Sequence, residues 1–278
     1  MSTDNLPVSS PDIAVPAAAP VVNFNQKPRP KVYIAASAYD WKCETNFANA
    51  FLDSVERCHC QLSIDWGSGD AAIGRKRNFQ MWRFLKKSDA DFIFFIDSDI
   101  VWSPVDLDRI VSHNLPICGG IYPKKSYKLD GCYNLWPNSI TDDRGLVDVK
   151  HAGNGFLCIS RSAAERFIAY HGAKIEYRGD PDPELRWDFF PFGAKDMAYK
   201  SEDWYFCERA REAGICTRID TTVQVRHIGK VVFPIFQSIT DEEVVDLLYH
   251  KYDGDRNAVR NFLLTLPKKP IALDKPNT

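Results

Sequence analysis

The sequence predicts an α/β sandwich, in which helices cover both faces of a central and mostly parallel β-sheet. Two features of the 278-residue chain indicate this fold. Short apolar runs such as FIFFI, residues 92–96, are typical of strands buried on both faces. These runs alternate with segments whose apolar residues recur at helical spacing, which favours a parallel sheet with its ligands at the carboxyl ends of the strands. With 45% apolar residues, the chain can bury one sizeable core.

The first half of the chain predicts a β-α-β unit followed by a further helix and strand. Residues 31–39, KVYIAASAY, form an apolar and β-branched run that ends in small residues, which predicts a buried strand opening into a ligand loop. Thr45 is the predicted N-cap of the next helix, and CQLSIDW then predicts a second strand. Residues 75–87 place apolar side chains along one side of a helix that leads to FIFFI.

The middle of the chain supplies the rest of the predicted sheet. Ser103 and Pro104 predict the start of a helix, and PICGGIY and GFLCIS predict strands. Ser162 and Glu165 have the spacing of a capping box, which predicts a helix that ends near Gly172.

Residues 173–200 lack clear periodicity and contain Gly, Pro and several aromatic residues. A segment of this length is more typical of a functional loop than of a plain connector, which predicts a lid or an acceptor-binding loop. Further helices are predicted to begin near Ser201, Thr240 and Arg256.

The chain is predicted to form one folded domain with tails. Residues 1–30 are rich in Pro, Ala, Ser, Val and Asn without periodicity, which predicts a disordered N-terminal tail. The predicted domain covers residues 31–238, a helical appendage covers residues 239–266, and a second tail covers residues 267–278.

The composition argues against several classes of protein. A formal net charge of -2 provides no global basic field, so avid nonspecific binding to nucleic acid or to an anionic membrane is not expected. No run approaches the roughly 18 to 20 apolar residues that a membrane span needs. The first residues show no basic segment followed by an apolar core, so a secretory signal is not expected and a cytoplasmic location is predicted.

The eight cysteines are scattered, and several lie within apolar runs. This pattern favours buried free thiols in a reducing compartment over a disulfide framework. Cys58-His59-Cys60 does not have the usual spacing of paired zinc ligands, and no second pair follows, so a zinc site is not expected there.

The central candidate for chemistry is Asp97-Ser98-Asp99, which directly follows the FIFFI run. Other D-x-D patterns occur in the chain, but only this one ends a wholly apolar strand. Carboxylates in an apolar setting carry a large desolvation cost, which a divalent cation bound to phosphate oxygens would offset. The alternative is that both acids are solvated or cap the helix that begins near Ser103.

The second candidate is the basic start of the helix at IGRKRN, with Arg75, Lys76, Arg77 and Asn78. Helix-start amides and cations both suit a diphosphate, whereas cations at a helix N-terminus oppose the macrodipole. A solvated basic face is the alternative.

The third candidate is the acid pair Glu202 and Asp203 in SEDWYFCERA, where a carboxylate could accept a proton from an attacking hydroxyl. The alternative is strong, because acids in a first helical turn are stabilised by the helix dipole without any catalysis.

The fourth candidate is His227 in VRHIGK, a predicted short strand. Imidazole combined with carboxylates and phosphate oxygens suits manganese better than calcium. A lone histidine is usually structural, so this assignment depends on the other predicted metal ligands.

In this order, the motifs resemble those of GT-A glycosyltransferases, in particular short single-domain members of bacterial and viral type. The shared motifs are an RN helix, a FIDSD strand, GG-x-YPKK, a GFL strand, SED-x-x-FC and H-x-G, found here at residues 77–78, 95–99, 119–125, 155–157, 201–207 and 227–229. Each motif alone is nonspecific, but their joint order is a specific signal. The resemblance covers about residues 31–235.

The resemblance implies a GT-A nucleotide-diphospho-sugar transferase fold and transfer of a sugar to an acceptor hydroxyl, with Mn²⁺ (or Mg²⁺) as cofactor. It implies that Asp99 is the principal metal-binding carboxylate, that Asp97 contacts the ribose or the metal, and that His227 is the third metal contact. In inverting relatives the second residue of the acid pair is the base, which here is Asp203. The predicted donor-binding residues are Ala35, Ser37, Tyr39, Asp65, Arg75, Arg77, Asn78, Asp97, Ser98 and Lys125.

Several alternatives remain open at this point. Lys124 and Lys125 either contact donor phosphates or are solvated lysines on a loop. A nucleotidyltransferase also combines an α/β fold with a carboxylate-bound metal, although no Gly-rich phosphate loop follows the first strand. A non-catalytic carbohydrate- or protein-binding module could keep the same fold. The sequence leaves open the donor, the stereochemistry and the acceptor, which could be a glycan, a protein, a modified nucleic acid or a small molecule.

Overall fold

A computed structural model of the protein describes residues 28–39, 42–125, 131–179, 183–195, 197–229 and 232–233. Most of the predicted N-terminal tail lies outside these ranges. The predicted appendage, the second tail and the helices predicted near Thr240 and Arg256 lie wholly outside them.

The described elements follow the predicted alternation in the first half of the chain and add shorter strands in the second half. The helices are α1 (Thr45–Arg57), α2 (Ile73–Lys87), α3 (Pro104–Ser112), α4 (Arg161–His171) and α5 (Glu202–Glu212), with a 3-10 turn at Gly172–Ile175. The strands are β1 (Lys31–Ala38), β2 (Gln61–Ser68), β3 (Phe92–Asp97), β4 (Ile100–Val101), β5 (Ile117–Ile121), β6 (Tyr133–Leu135), β7 (Leu146–Ala152), β8 (Phe156–Ser160), β9 (Glu176–Arg178), β10 (Leu185–Trp187), β11 (Gly193–Lys195), β12 (Ala198–Lys200), β13 (Thr217–Gln224), β14 (Arg226–Ile228) and β15 (Val232–Phe233).

Eight strands form the central sheet in the order β2-β1-β3-β8-β5-β13-β7-β6. The pairing directions show that β7 and β8 run against the other six strands, which share one direction. The prediction of a mostly parallel central sheet is confirmed.

The central strand β3 shows why this sheet is covered on both faces. All of its residues from Phe92 to Ile96 are buried. Ile93 and Phe95 belong to the apolar cluster that includes side chains of α2, α4 and α5, whereas Phe94 and Ile96 belong to the cluster that includes side chains of α1 and α3. Because successive side chains of a strand point to opposite faces, the apolar run supplies both cores and produces an α/β/α sandwich.

The starts of two helices differ from the prediction. Thr45 is already helical, and the N-cap of α1 is Glu44, whose side chain makes no capping hydrogen bond. The Glu44 backbone N–H instead donates to Ser98 O at 3.2 Å, so a contact with the end of β3 accompanies the start of this helix. The prediction of Thr45 as N-cap is therefore wrong by one residue.

The predicted capping box at Ser162 and Glu165 is also wrong. β8 runs directly into α4, and Ser160 is the N-cap, its Oγ accepting from the Ala163 backbone N–H at 3.2 Å. Ser162 lies inside the helix. The predicted end of the helix is confirmed, since Gly172 follows it with a φ of +54°.

Residues 173–200 are more regular than the sequence suggested. The described part contains two short antiparallel hairpins, β9–β10 and β11–β12. A role of this segment as a lid or an acceptor-binding loop stays a prediction. Strands β6 and β7, which no sequence pattern predicted, extend the central sheet beyond β13.

Candidate active site

The candidate site lies where β1 and β3 end, at the same edge of the central sheet. The two strands are parallel neighbours, and Ser37 is paired with Asp97 in their register. Carboxyl ends of parallel strands are the usual ligand-binding edge of α/β sheets. A cavity of about 250 Å³ opens here, lined by Ser37, Tyr39, Asp70, Ala71, Ile73, Lys76, Asp97, Ser98, Asp99 and His227. Six of these lining residues were predicted from the sequence: Ser37, Tyr39, Asp97, Ser98, Asp99 and His227.

His227 reaches Asp99 through a small second sheet. The chain leaves the central sheet at Val225, whose backbone N–H donates to Ile121 O at 2.8 Å. The next strand, β14, pairs antiparallel with β4, so that His227 lies opposite Ile100. This pairing places His227 Nε2 3.4 Å from Asp99 Oδ1. The short strand predicted in VRHIGK corresponds to β14, and the break at Val225 before it allows β14 to pair with β4 next to the cavity.

The second ring nitrogen of His227 defines the tautomer of the neutral ring. Nδ1 lies 2.8 Å from Pro123 O. Because a carbonyl oxygen can only accept, Nδ1 carries a hydrogen. Nε2 therefore donates to Asp99 when the ring is protonated and presents a lone pair when the ring is neutral. Metal-binding histidines commonly donate their other ring N–H to a backbone carbonyl in this way. The Asp99–His227 pair therefore has the donor atoms that a divalent cation requires.

Lys125 holds the other carboxylate oxygen of Asp99, because its Nζ donates to Oδ2. Burial disfavours the charged form of Asp99, but the hydrogen bonds from His227 and Lys125 outweigh burial and lower the pKa of this carboxyl below its usual value. Asp99 is thus a carboxylate at neutral pH, as a metal ligand must be.

Asp97 stands to one side of this pair. Among the described residues, Asp97, Asp99 and His227 do not form a group whose ligand atoms all lie within 4.8 Å of one another. Asp97 Oδ1 instead accepts from Arg77 Nη2 at 2.9 Å. Asp97 nevertheless lines the same cavity as the other two residues, so the predicted metal ligands share one site without forming one tight cluster.

Arg77 connects the end of β3 to the start of α5. Its Nη1 donates to Glu202 Oε1 at 2.5 Å, and its Nη2 donates to Asp97. The side chain of Arg77 is only 4% exposed. Burial disfavours its charge, but the two carboxylates outweigh burial and raise the pKa of the guanidinium. The structure thus gives this predicted phosphate-binding residue two protein carboxylates as partners.

Lys76 is the member of the basic helix start that lines the cavity. The sequence placed it in the basic cluster but not among the predicted donor-binding residues. It is 4% exposed, and its Nζ is buried without a hydrogen-bond partner in the described part of the chain. Burial lowers the pKa of Lys76 in spite of nearby carboxylates. Helical spacing could have indicated this residue, because Lys76 follows the lining residue Ile73 by three positions.

Asn78 and Arg75, also predicted to bind the donor, have protein partners and do not line the cavity. The side-chain amide of Asn78 donates to Asp188 Oδ1 at 2.8 Å and accepts from the backbone N–H groups of residues 189–190 at 2.9 and 3.0 Å. Arg75 is exposed and binds both carboxylate oxygens of Asp70 at 2.7 and 2.8 Å. Their predicted contact with a donor stays a prediction.

Asp65 and Ala35, predicted to hold the nucleoside, are paired neighbours on β2 and β1. Asp65 is 5% exposed and accepts from Tyr33 Oη at 2.5 Å and from Arg83 Nη1 at 2.7 Å. Ala35 is 1% exposed and packs in the core on the α2 side. Neither side chain lines the cavity, and their predicted role also stays a prediction.

Tyr122 is a site residue for which the sequence indicated no role, although it lies in the GG-x-Y motif. Its ring packs edge-on against His227 at 5.5 Å between centroids, and its hydroxyl accepts from the Gly155 N–H at 2.9 Å. A Cβ at Gly153 would lie 2.1 Å from this hydroxyl, and one at Gly155 would lie 3.0 Å from Asp97 Oδ2. The two glycines therefore permit Tyr122 to fill the space between Asp97 and His227.

The two predicted acids of α5 have different surroundings. Glu202 is the first residue of the helix and is bound by Arg77. Asp203 Oδ1 accepts from the Trp204 N–H at 2.8 Å and from Ser201 Oγ. The hydrogen bonds described for Asp203 involve Oδ1 alone. Glu202 is thus tied to the cavity through Arg77, and Asp203 has a second oxygen, Oδ2, outside these contacts.

A larger groove of about 600 Å³ lies away from this site, between α4, β11 and α5. Its lining residues are Tyr170, His171, Lys174, Ile175, Lys195, Tyr205, Arg209 and Glu212. Glu212 is the only carboxylate among them, and Lys195 binds it at 3.3 Å. The smaller cavity at the strand ends combines three aspartates with an imidazole, whereas the groove has one carboxylate, so the smaller cavity is the better candidate for chemistry.

Several solved structures resemble the chain over part of its length. The crystal structure of A197 from STIV shares 16% sequence identity over 72% of this chain and 86% of that chain, with a TM-score of 0.46. A glycosyltransferase involved in the glycosylation of the major capsid of PBCV-1 shares 11% identity over 49% of this chain and 63% of that chain, with a TM-score of 0.29. The mannosyltransferase PcManGT from Pyrobaculum calidifontis, in complex with GDP-Man and Mn²⁺, shares 10% identity over 87% of this chain and 66% of that chain, with a TM-score of 0.43.

No protein-family model and no curated protein sequence matches the chain. The chain spans less than two thirds of the length of the two glycosyltransferases, and every identity above is low. Within the described part, no helix has the length and apolar character needed to cross a membrane.

Proposed function

We propose that this protein is a metal-dependent glycosyltransferase, which moves a sugar from a nucleoside-diphosphate sugar to an acceptor hydroxyl. The observation that carries the proposal is the Asp99–His227 pair, 3.4 Å apart in a cavity at the carboxyl ends of two parallel strands. A carboxylate and a neutral imidazole nitrogen suit Mn²⁺, and the open side of the cavity leaves room for phosphate oxygens as further ligands.

The proposed metal would be held by Asp99 and His227, and Asp97, which lines the same cavity, would contact it through water or contact the ribose. A bound divalent cation would neutralise charge on the departing diphosphate. The Pro123 carbonyl keeps His227 in the tautomer that leaves Nε2 available.

Two lysines would supply the remaining positive charge. Lys76 presents a buried ammonium without a hydrogen-bond partner among the described residues, and a diphosphate would satisfy it. Lys125 pairs with Asp99 in the structure and would move to a phosphate oxygen once a divalent cation takes its place. Developing charge on the leaving group would then meet cations that are already positioned.

Arg77 would organise the site without contacting the diphosphate. It holds Asp97 on one side and Glu202 on the other, so the acid beside the proposed metal site and the acid beside the proposed base share one buried cation. In an inverting reaction, Asp203 would accept the proton of the acceptor hydroxyl, because its Oδ2 is outside the described hydrogen bonds.

A donor screen tests the proposal directly. Purified protein is incubated with a panel of GDP-, UDP- and dTDP-sugars and Mn²⁺, and release of nucleoside diphosphate is measured with and without EDTA. Release that requires the metal and is lost in Asp99→Asn supports the proposal. Release of pyrophosphate from a nucleoside triphosphate and a sugar phosphate would indicate a nucleotidyltransferase, and donor binding without turnover would indicate a binding module.

A further inference from the structure

A second cluster of potential metal ligands lies at the start of β2, on the face of the central sheet that α1 and α3 cover. The candidate active site lies at the other edge of the sheet, where β1 and β3 end. Cys58 and Cys60 belong to the turn between α1 and β2, and Asp108 belongs to α3. Both cysteines are 4% exposed, and Asp108 is half-buried. Their three ligand atoms all lie within 4.8 Å of one another. In the described ranges of the chain, this is the one group of three or more His, Cys, Asp or Glu residues that meets this limit.

The distance between two of these ligand atoms matches the separation expected in a tetrahedral zinc site. Cys60 Sγ lies 3.5 Å from Asp108 Oδ1. With Zn–S near 2.3 Å and Zn–O near 2.0 Å, tetrahedral angles separate a sulfur and an oxygen ligand by about 3.5 Å. The Asp108 carboxylate is held in place because both of its oxygens accept from the His59 backbone N–H, at 2.8 and 2.9 Å.

The turn that carries the thiols is held by Arg29. Its guanidinium donates to the carbonyl oxygens of Cys58, His59 and Cys60 at 2.9, 3.2 and 2.7 Å. Arg29 thereby restrains the backbone on both sides of His59 before any ligand binds. It also balances charge, because two thiolates and a carboxylate carry three negative charges, and a divalent cation together with the guanidinium carries three positive ones.

We infer that Cys58, Cys60 and Asp108 form a binding site for a soft divalent cation, with zinc as the preferred ion. Binding converts the two thiols to thiolates and releases two protons to solvent, and it needs no oxidant. Water completes the coordination at the half-buried side of Asp108. Thiolate ligands favour zinc over manganese and magnesium, so this site differs in preference from the Asp99–His227 pair. The bound ion ties the α1–β2 turn to α3.

No zinc site was expected here from the sequence, because Cys58 and Cys60 lack the usual spacing of paired zinc ligands. Two cysteines separated by one residue lack a partner pair in the sequence, but the third ligand comes from a different helix. No sequence pattern indicates this role for Asp108, because it is one of two aspartates in the polar segment VDLDR, where acidic side chains are expected to face solvent.

The test uses the full-length protein, purified with a thiol reductant and treated with a chelator to remove metals. Co²⁺ is titrated in, and the thiolate-to-cobalt absorption is recorded, followed by displacement with Zn²⁺. One equivalent of Co²⁺ with thiolate absorption is expected for the wild type. The matched control is Cys43→Ser with Cys216→Ser, which removes the two exposed cysteines and keeps the cluster. This control should bind as the wild type does.

The cluster variants give the opposite result. Cys58→Ser with Cys60→Ser should abolish the thiolate absorption, and Asp108→Asn, which keeps both thiols and a hydrogen-bond acceptor, should weaken Zn²⁺ binding by roughly tenfold or more. Asp99→Asn should leave the absorption unchanged, which separates this site from the proposed active site. Absence of cobalt absorption in the wild type, a Cys58–Cys60 disulfide formed in its place, or absorption that survives in the double serine variant would each overturn the inference.

Discussion

His227 Nε2 lies 3.4 Å from Asp99 Oδ1, although the two residues come from distant parts of the sequence. The contact depends on the pairing of β14 with β4, and the ring orientation depends on the hydrogen bond from Nδ1 to Pro123 O. An imidazole used only as a salt-bridge partner would need a proton on Nε2. The hydrogen bond from Nδ1 to Pro123 O is also compatible with a neutral ring, in which Nε2 carries no proton and can bind a metal.

The metal assignment predicts the effect of Asp99→Asn. The substitution keeps the size of the side chain but removes the charge, so affinity for Mn²⁺ should fall by roughly 10–100-fold. Electron paramagnetic resonance of free Mn²⁺ measures this directly. Asp89→Asn, in an exposed carboxylate that pairs with Lys31 outside the cavity, is the matched control and should bind Mn²⁺ as the wild type does. Equal affinities for Asp99→Asn and the control would contradict the assignment.

Lys76→Met should weaken ligand binding without lowering the stability of the fold. Burial lowers the pKa of Lys76, so the folded protein carries a cost for the charged ammonium that methionine removes. The melting temperature should stay the same or rise, whereas affinity for a nucleoside diphosphate should fall roughly tenfold or more, since a hydrogen bond to a charged group is lost. Thermal melts and isothermal titration calorimetry measure the two effects. Lys87→Met, at the exposed end of the same helix, should leave ligand affinity unchanged.

Arg77→Met should strongly destabilise the protein. The substitution leaves Asp97 and Glu202 without the cation that both contact, and breaking a buried ion pair from one side typically costs about 3–5 kcal/mol. Asp97 is 30% exposed and can regain some hydration, so a loss near the lower end, about 3 kcal/mol, is expected in urea unfolding. Arg75→Met is the control, because this neighbouring arginine is 71% exposed and its pair with Asp70 contributes little. Similar losses in both variants would argue against an organising role for Arg77.

Most of the predicted site residues that line the cavity lie at or directly after the ends of neighbouring strands. Asp97, Ser98 and Asp99 follow a wholly apolar run, and such a run predicts both a central strand and the edge at which it ends. Ser37 and Tyr39 follow the neighbouring parallel strand and line the same cavity. Local pattern was sufficient there because strand direction and sheet position determine where the next residues lie.

The residues whose surroundings the sequence did not indicate are those whose partners come from elsewhere in the chain. Asn78 lies in the basic helix start and was predicted to contact the donor, but its amide donates to the Asp188 side chain and accepts from the backbone N–H groups of residues 189–190. Arg77 and Lys76 are adjacent basic residues, yet Arg77 binds two carboxylates and the Lys76 ammonium has no hydrogen-bond partner within the described part of the chain. Helical spacing gives the direction of each side chain, but the partner in that direction is set by tertiary packing.

The surroundings of Asp220 lead us to expect that the free energy of unfolding depends on pH in the acid range. This fully buried carboxylate accepts from Arg109, His113 and Thr222, and although burial disfavours its charge, these hydrogen bonds lower its pKa. A lowered folded-state pKa means that the stabilisation is complete above the unfolded-state pKa of about 3.9 and is lost as the pH falls through the folded-state value.

Asp220→Asn should therefore lower the free energy of unfolding at neutral pH by about 2–4 kcal/mol and flatten its decline below about pH 4. Urea unfolding between neutral and acid pH measures both effects. Asp220 does not line the candidate cavity, so nucleoside diphosphate binding should persist wherever the variant is folded. An equally steep acid decline in the variant would assign the acid sensitivity to other carboxylates.

The two acids at the start of α5 can be separated by their effects on catalysis and stability. Glu202 is bound by the buried Arg77, so Glu202→Gln should lower stability and perturb the cavity, with a moderate effect on transfer. Asp203 makes its described hydrogen bonds through Oδ1 to its own helix start, and Asp203→Asn preserves an oxygen for them. If Asp203 is the base, Asp203→Asn should lower kcat roughly 100-fold or more with little change in melting temperature or donor affinity. A kcat that falls in Glu202→Gln but not in Asp203→Asn would move the role of base to Glu202, and a retained kcat in both variants would exclude a carboxylate base from α5.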